Sequence, residues 1–193
     1  MTRTFIALEL DESLQRYLGE TIRQLAQELH GPALRWVDPA GIHLTLAFLG
    51  DLNDEQLAEA MRATERAARK VSPFEYCLSR PGLFGSPRQP RVIWIGVDEP
   101  SGNLQLLHRQ LNLELVQHGF EVDARPFSPH LTLARIKGPL RQEEQQRLQR
   151  LLTVEDRQRL SPTIHVSQIC VMKSELSQTR ANYTCLQSSA LGR

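Results

Sequence analysis

The sequence predicts an α+β fold with pseudo-two-fold symmetry. Two observations carry this. The pentapeptide His43-Leu44-Thr45-Leu46-Ala47 returns 87 residues later as His130-Leu131-Thr132-Leu133-Ala134. The same offset lays the apolar run 5–10 on 92–97, Asp11-Glu12 on Asp98-Glu99, and Pro39 on Pro126. A spacing shared by strand, acidic pair, proline and motif marks an internal repeat.

Each copy then reads in the same order. The apolar runs 5–10 and 92–97 are expected as strands. Leu14, Leu18, Ile22, Leu25 and Leu29 recur at three- and four-residue intervals, which predicts a helix over 13–29. Leu104, Leu107, Leu111 and Leu115 predict its counterpart over 101–116. The motif strands follow. Segment 54–70, rich in Ala, Glu and Arg, and segment 141–152, rich in Gln, Glu and Arg, are expected as helices, the second inside a solvated Gln/Glu/Arg tract that runs to 159. Ser72-Pro73 and Ser161-Pro162 then precede short strands at 74–78 and 163–167, now 89 residues apart. No linker separates the copies, so 1–193 is expected to be one bilobal domain with repeat units of about 3–84 and 90–187. The stretch 82–90, with two prolines and two glycines, is the expected connecting loop.

Composition narrows the function. Hydrophobic residues are 40% and charged residues 23%, as in an ordinary globular protein. A net charge of +1 argues against gripping long duplex nucleic acid through counterion release, though not against a short anionic end. Apolar runs are too short to span a membrane and the N-terminus lacks a signal-peptide core, so a cytoplasmic protein is expected, and no obligate protein partner is evident. Cys77, Cys170 and Cys185 lie far apart and form no CxxC, so neither a disulfide framework nor a zinc site is suggested.

The repeated motif is where chemistry enters. In a strand His43 and Thr45 share one face while Leu44 and Leu46 share the other, and the same holds for His130 and Thr132. The leucines suit a core; the histidine and threonine do not. A pseudo-two-fold axis would bring both His/Thr pairs to one groove. Paired imidazoles suit phosphodiester chemistry, since one can take a proton from the nucleophile while the other delivers one to the leaving oxygen. Threonine hydroxyls can hold the non-bridging oxygens, where charge develops. Arg135, at the end of the second motif strand, can clamp a phosphate; a solvated strand end is the alternative. The first copy has Phe48 there, and alternation along the strand sends Phe48 to the leucine face, into the core. Trp36 and Trp94 read as packing residues. His30, His108, His118 and His165 have no metal-ligand spacing and read as surface or boundary residues. No acidic residue adjoins either motif, so a metal on His43 and His130 would lack ligands, and none is expected. No phosphate-cradling glycine loop is present.

At these residues a resemblance becomes explicit. Arg35-Trp36-Val37, His43-Leu44-Thr45-Leu46-Ala47-Phe48-Leu49-Gly50 and Phe127-Ser128-Pro129-His130-Leu131-Thr132-Leu133-Ala134-Arg135 resemble the 2H phosphoesterase superfamily, in its RNA 2′,3′-cyclic phosphodiesterase branch, first named for 2′-5′ RNA ligase activity. Ser174-Glu175-Leu176 followed by Tyr183 is similar to that branch too, although Arg180-Ala181-Asn182 replaces a glycine often found before the tyrosine. The resemblance runs from about residue 3 to 186. It implies a bilobal α+β fold, two antiparallel-type sheets flanked by helices with a central groove, and metal-independent hydrolysis of RNA or nucleotide 2′,3′-cyclic phosphate ends to 2′-phosphate, with no cofactor. His43 matches the proton donor, His130 the proton acceptor, and Thr45, Thr132 and Arg135 the phosphate-binding positions. The two motifs alone do not separate donor from acceptor. Phe5 resembles a family aromatic near the base, with a core phenylalanine as the alternative. Reversible 2′-5′ ligation and a non-catalytic RNA-end binding module are the competing readings.

Overall fold

The computed structural model describes residues 1–86, 88–153, 162–176 and 181–192. The end of the 141–159 tract, Ser161 and Arg180 lie outside the described residues. In chain order the elements are β1 (Thr2–Glu9), α1 (Glu12–Glu28), β2 (Leu34–Trp36), a 3-10 turn at Pro39–Gly41, β3 (His43–Leu52), α2 (Asp54–Ala68), β4 (Phe74–Ser86), β5 (Gln89–Asp98), α3 (Asn103–Gln117), β6 (His130–Ile136), α4 (Gln142–Thr153), β7 (Ile164–Val166), β8 (Gln168–Leu176) and β9 (Ala181–Ala190).

The repeated acidic pair turns out to start helices. The Asp11 carboxylate accepts from the Leu14 amide at 2.7 Å and caps α1. In the second copy Glu99 does this work, accepting from the amides of Ser101 and Leu104 ahead of α3. Free amides at a helix start need such acceptors. Asn53 and Gln56 form a reciprocal capping box on α2. The apolar faces named above, Leu14, Leu18, Ile22 and Leu25 on α1 and Leu104, Leu107, Leu111 and Leu115 on α3, are buried in one core that also takes Leu44, Leu46, Leu131 and Leu133.

The strands pair antiparallel in the order β7-β4-β5-β6-β3-β1-β8-β9, with β2 added beside β6. The sheet is two antiparallel halves joined where β3 meets β6, and the joint is one registered pair, Leu44 with Leu131. These are equivalent residues of the two motifs, so the pseudo-two-fold axis runs through the joint. At the other crossing, Glu75 and Tyr76 of β4 pair with His165 and Ile164 of β7, residues that the 89-residue offset also relates.

Two features differ from the sequence reading. The stretch 82–90 is not a loop. It is mostly strand, the end of β4 and the start of β5, and these pair directly through Ser86 and Gln89. Gly82 is required there because Trp94 lies across it: a Cβ would sit 2.2 Å from the ring. Secondly, the repeat units exchange their third strands. After the β4–β7 crossing, β4 runs on to pair with β5 of the second repeat, while β8 pairs with β1 of the first. Each half of the sheet is thus built from both repeats.

Candidate active site

The groove face of the sheet is set by β-bulges. Along β3 and β1, Ala7 pairs with Thr45 but Ile6 pairs with Ala47, so Leu46 is an extra residue. Along β6 and β5, Trp94 pairs with Thr132 but Ile93 pairs with Ala134, so Leu133 is extra. The two bulges occupy equivalent positions. Each reverses the inward–outward alternation beyond it. Strict alternation would turn Phe48 and Arg135 away from the histidines; the bulges return both to the histidine face. Phe48 is therefore not a core residue as alternation implied. It is 73% exposed, its ring 6.1 Å from that of Phe5. Arg135 is exposed as well.

At the seam, continuing the Leu44–Leu131 register sets His43 opposite Thr132 and Thr45 opposite His130. The two histidines are diagonal neighbours, whose side chains start about 7–8 Å apart. This span fits one phosphate between two rings. Each ring is held identically: His43 Nδ1 donates to the Gly41 carbonyl at 2.9 Å and His130 Nδ1 to the Ser128 carbonyl at 2.7 Å. A carbonyl oxygen only accepts, so Nδ1 carries a hydrogen and Nε2 is left for the groove.

The aromatic settings of the two rings differ. His43 lies 4.5 Å from Phe5 and 4.9 Å, edge to face, from Tyr183. Phe5 is itself 3% exposed and packs with Ala7, Cys170 and Met172. Its ring supports His43 from beneath and offers no open face to a base. His130 is flanked by Phe84 at 4.7 Å and Trp94 at 6.1 Å. Burial pushes the His43 pKa below its usual value; the Gly41 carbonyl bond opposes this, and the Arg135 charge adds to it. The register beyond the Leu133 bulge sets Arg135 on the histidine face of β6. Trp94 supports His130, and Trp36 packs against the core. Among the other histidines, His118 pairs with Glu59 of α2 at 2.5 Å, and His108 stacks on Phe127 at 3.9 Å.

Sequence reasoning missed Tyr183 as a wall of the His43 site, although it had singled the residue out, and it missed Phe84 entirely. Neither lies within a motif; only the strand order brings β9 and β4 to the groove.

A doubled antiparallel sheet with a His-x-Thr pair on each side of one seam is the architecture of a 2H phosphoesterase. The chain belongs to the 2′-5′ RNA ligase superfamily, whose model matches residues 10–178. A relative from Methanothermobacter thermautotrophicus, an RNA 2′,3′-cyclic phosphodiesterase, is 31% identical over 189 residues, covering 96% of each chain. The crystal structure of TT0787 of Thermus thermophilus superposes with a TM-score of 0.76 at 26% identity, over 98% of this chain and 97% of that one. E. coli LigT complexed with 3′-AMP superposes with a TM-score of 0.73 at 25% identity, over 100% of this chain and 99% of that one.

Proposed function

We propose that this chain hydrolyses RNA 2′,3′-cyclic phosphate ends to 2′-phosphates, with no metal or cofactor, by proton transfer through two histidines. The observation that carries this is the Leu44–Leu131 pair, which sets His43 and His130 diagonally about one seam, each with Nδ1 engaged by a backbone carbonyl. Membership of the family and a relative named for this activity support it, as does the likeness to a structure holding 3′-AMP.

In this reading the phosphate sits over the seam. His130 Nε2 takes a proton from water as its oxygen attacks phosphorus. His43 Nε2, protonated, gives its proton to the 3′ oxygen as the P–O3′ bond breaks, leaving the phosphate on the 2′ oxygen. The low pKa of His43 makes it a strong acid, and the arriving phosphate anion restores its proton affinity. Thr45 and Thr132 donate to the non-bridging oxygens, and Arg135 clamps the same oxygens with paired N–H groups. Phe48, exposed beside this site, is the stacking platform for the terminal base. Phe5 acts on His43 from below. The three free thiols fit the reducing cytoplasm as the site of action. No helix among the described residues is long and apolar enough to cross a membrane.

The test is product analysis on a short RNA bearing a cyclic phosphate, in excess EDTA. A 2′-phosphate is expected, with His43→Ala and His130→Ala each slower by roughly 10²–10⁴-fold. A 3′-phosphate product, loss of turnover in EDTA, or near-full activity in either folded variant would overturn the reading.

A further inference from the structure

The three cysteines gave no metal-binding pattern in sequence, but the strand order assembles one. Glu9 on β1, Cys170 on β8 and Cys185 on β9 come from three adjacent strands. Their donor atoms, one carboxylate oxygen and two sulfurs, all lie within 4.8 Å of one another. The Cys170 thiol donates to Glu9 Oε2 at 3.2 Å. Cys170 is buried and Cys185 exposed, so the cluster reaches from the sheet interior to solvent. From these we infer that Glu9, Cys170 and Cys185 form a site for a thiophilic divalent cation, with Zn²⁺ as its natural ligand.

The chemistry of the donor set selects the ion. Two thiolates favour a soft or borderline cation over Mg²⁺ or Ca²⁺. Tetrahedral zinc, with Zn–S of about 2.3 Å and Zn–O of about 2.1 Å, separates its donors by roughly 3.5–3.8 Å. The present cluster needs a contraction of about 1 Å or less to reach that, within the range of side-chain rotation about fixed strands. Binding releases two thiol protons to solvent, one formerly bonded to Glu9, and forms two Zn–S bonds and one Zn–O bond. The fourth position stays open on the Cys185 side. In the sheet, Ala7 pairs with Cys170 and Glu9 pairs with His43, so the cluster lies on the groove face beside the proposed acid. It does not depend on the proposed reaction, since none of the three residues has a part in it.

The experiment uses the reduced full-length protein titrated with Co²⁺ as a spectroscopic probe, then with Zn²⁺ as competitor. One equivalent of cobalt is expected to give a sulfur-to-cobalt charge-transfer band, displaced by zinc. Cys185→Ser, an exposed change that leaves the core intact, should weaken binding by more than about tenfold and diminish the band. Cys77→Ser, His43→Ala and His130→Ala should leave both unchanged. Three results would overturn the inference: binding without the sulfur band, a band that survives Cys185→Ser at full strength, or loss of binding in either histidine variant. The last would place the ion at the histidines instead.

Discussion

Replacing Leu131 with alanine probes the seam on which the site is built. Leu131 is 0% exposed and its registered partner Leu44 is also 0% exposed. Removing three buried carbons forfeits about 2.4 kcal/mol of transfer free energy at about 0.8 kcal/mol each. The space left lies between two sheet halves joined there by a single registered pair, and paired strands on both sides hold it open. A cavity term follows, giving a total of roughly 3–4 kcal/mol, inside the usual Leu→Ala range. This is a large part of the ~5–15 kcal/mol that holds a domain together. Equilibrium denaturation in urea reads it as a lowered midpoint with unchanged slope. Leu44→Ala should cost a similar amount. The double variant should cost less than the sum, by about 0.5–3 kcal/mol, because the two vacated volumes adjoin. Turnover should fall in each variant at denaturant concentrations where the protein is still folded, since His43 and His130 precede these leucines directly. A cost below about 1 kcal/mol for either single variant, or strict additivity, would refute the claim that this pair closes the two halves.

Three further expectations follow. In a histidine-resolved NMR titration the His43 ring should ionise below about 6.5, its ordinary value; Arg135→Met should move it upward, because removing a nearby cation favours the imidazolium. The sign for stability follows, since the unfolded chain holds that proton more tightly: the His43 contribution is present above about pH 6.5 and is lost as pH falls below it. Phe48→Ala should leave stability within about 0.5 kcal/mol yet raise KM for a nucleotide cyclic phosphate by roughly 5–150-fold, the worth of one stacked base; an equal effect on a cyclic phosphate lacking a base would refute the platform. Gly82→Ala should cost about 1–3 kcal/mol in thermal denaturation by driving Trp94 from its place beside His130; an unchanged melting temperature would show that the ring has room to move.

Much of the fold is legible in the sequence because it is local. The helix faces of α1 and α3, the acidic pairs that cap them, and the His/Thr pairs all sit at fixed short spacings. What is not legible is everything that depends on which strand lies beside which. Alternation sends Phe48 to the core only where no bulge intervenes, and the bulge at Leu46 leaves no mark in composition, since leucine is buried either way. The same rule would turn Arg135 away; the matching bulge at Leu133 returns it to the histidine face. Prolines and glycines over 82–90 signal a turn, but here the glycine makes room for Trp94 and the chain stays paired. The walls of the histidine pockets, Tyr183 and Phe84, and the cluster of Glu9, Cys170 and Cys185 come from positions that share no periodicity.

The exchange of β4 and β8 has a consequence for how such a molecule can be taken apart. A fragment ending near residue 87 would hold β1 and β3 without the strand that covers the outer edge of β1, and would carry β4 with nothing to lie against. Two copies of one such half could satisfy each other by the same trade, closing a ring of strands around a single phosphate on a true two-fold axis. The present chain carries both halves in one sequence, so its two sides need not be identical: one offers Arg135 where the other offers Phe48.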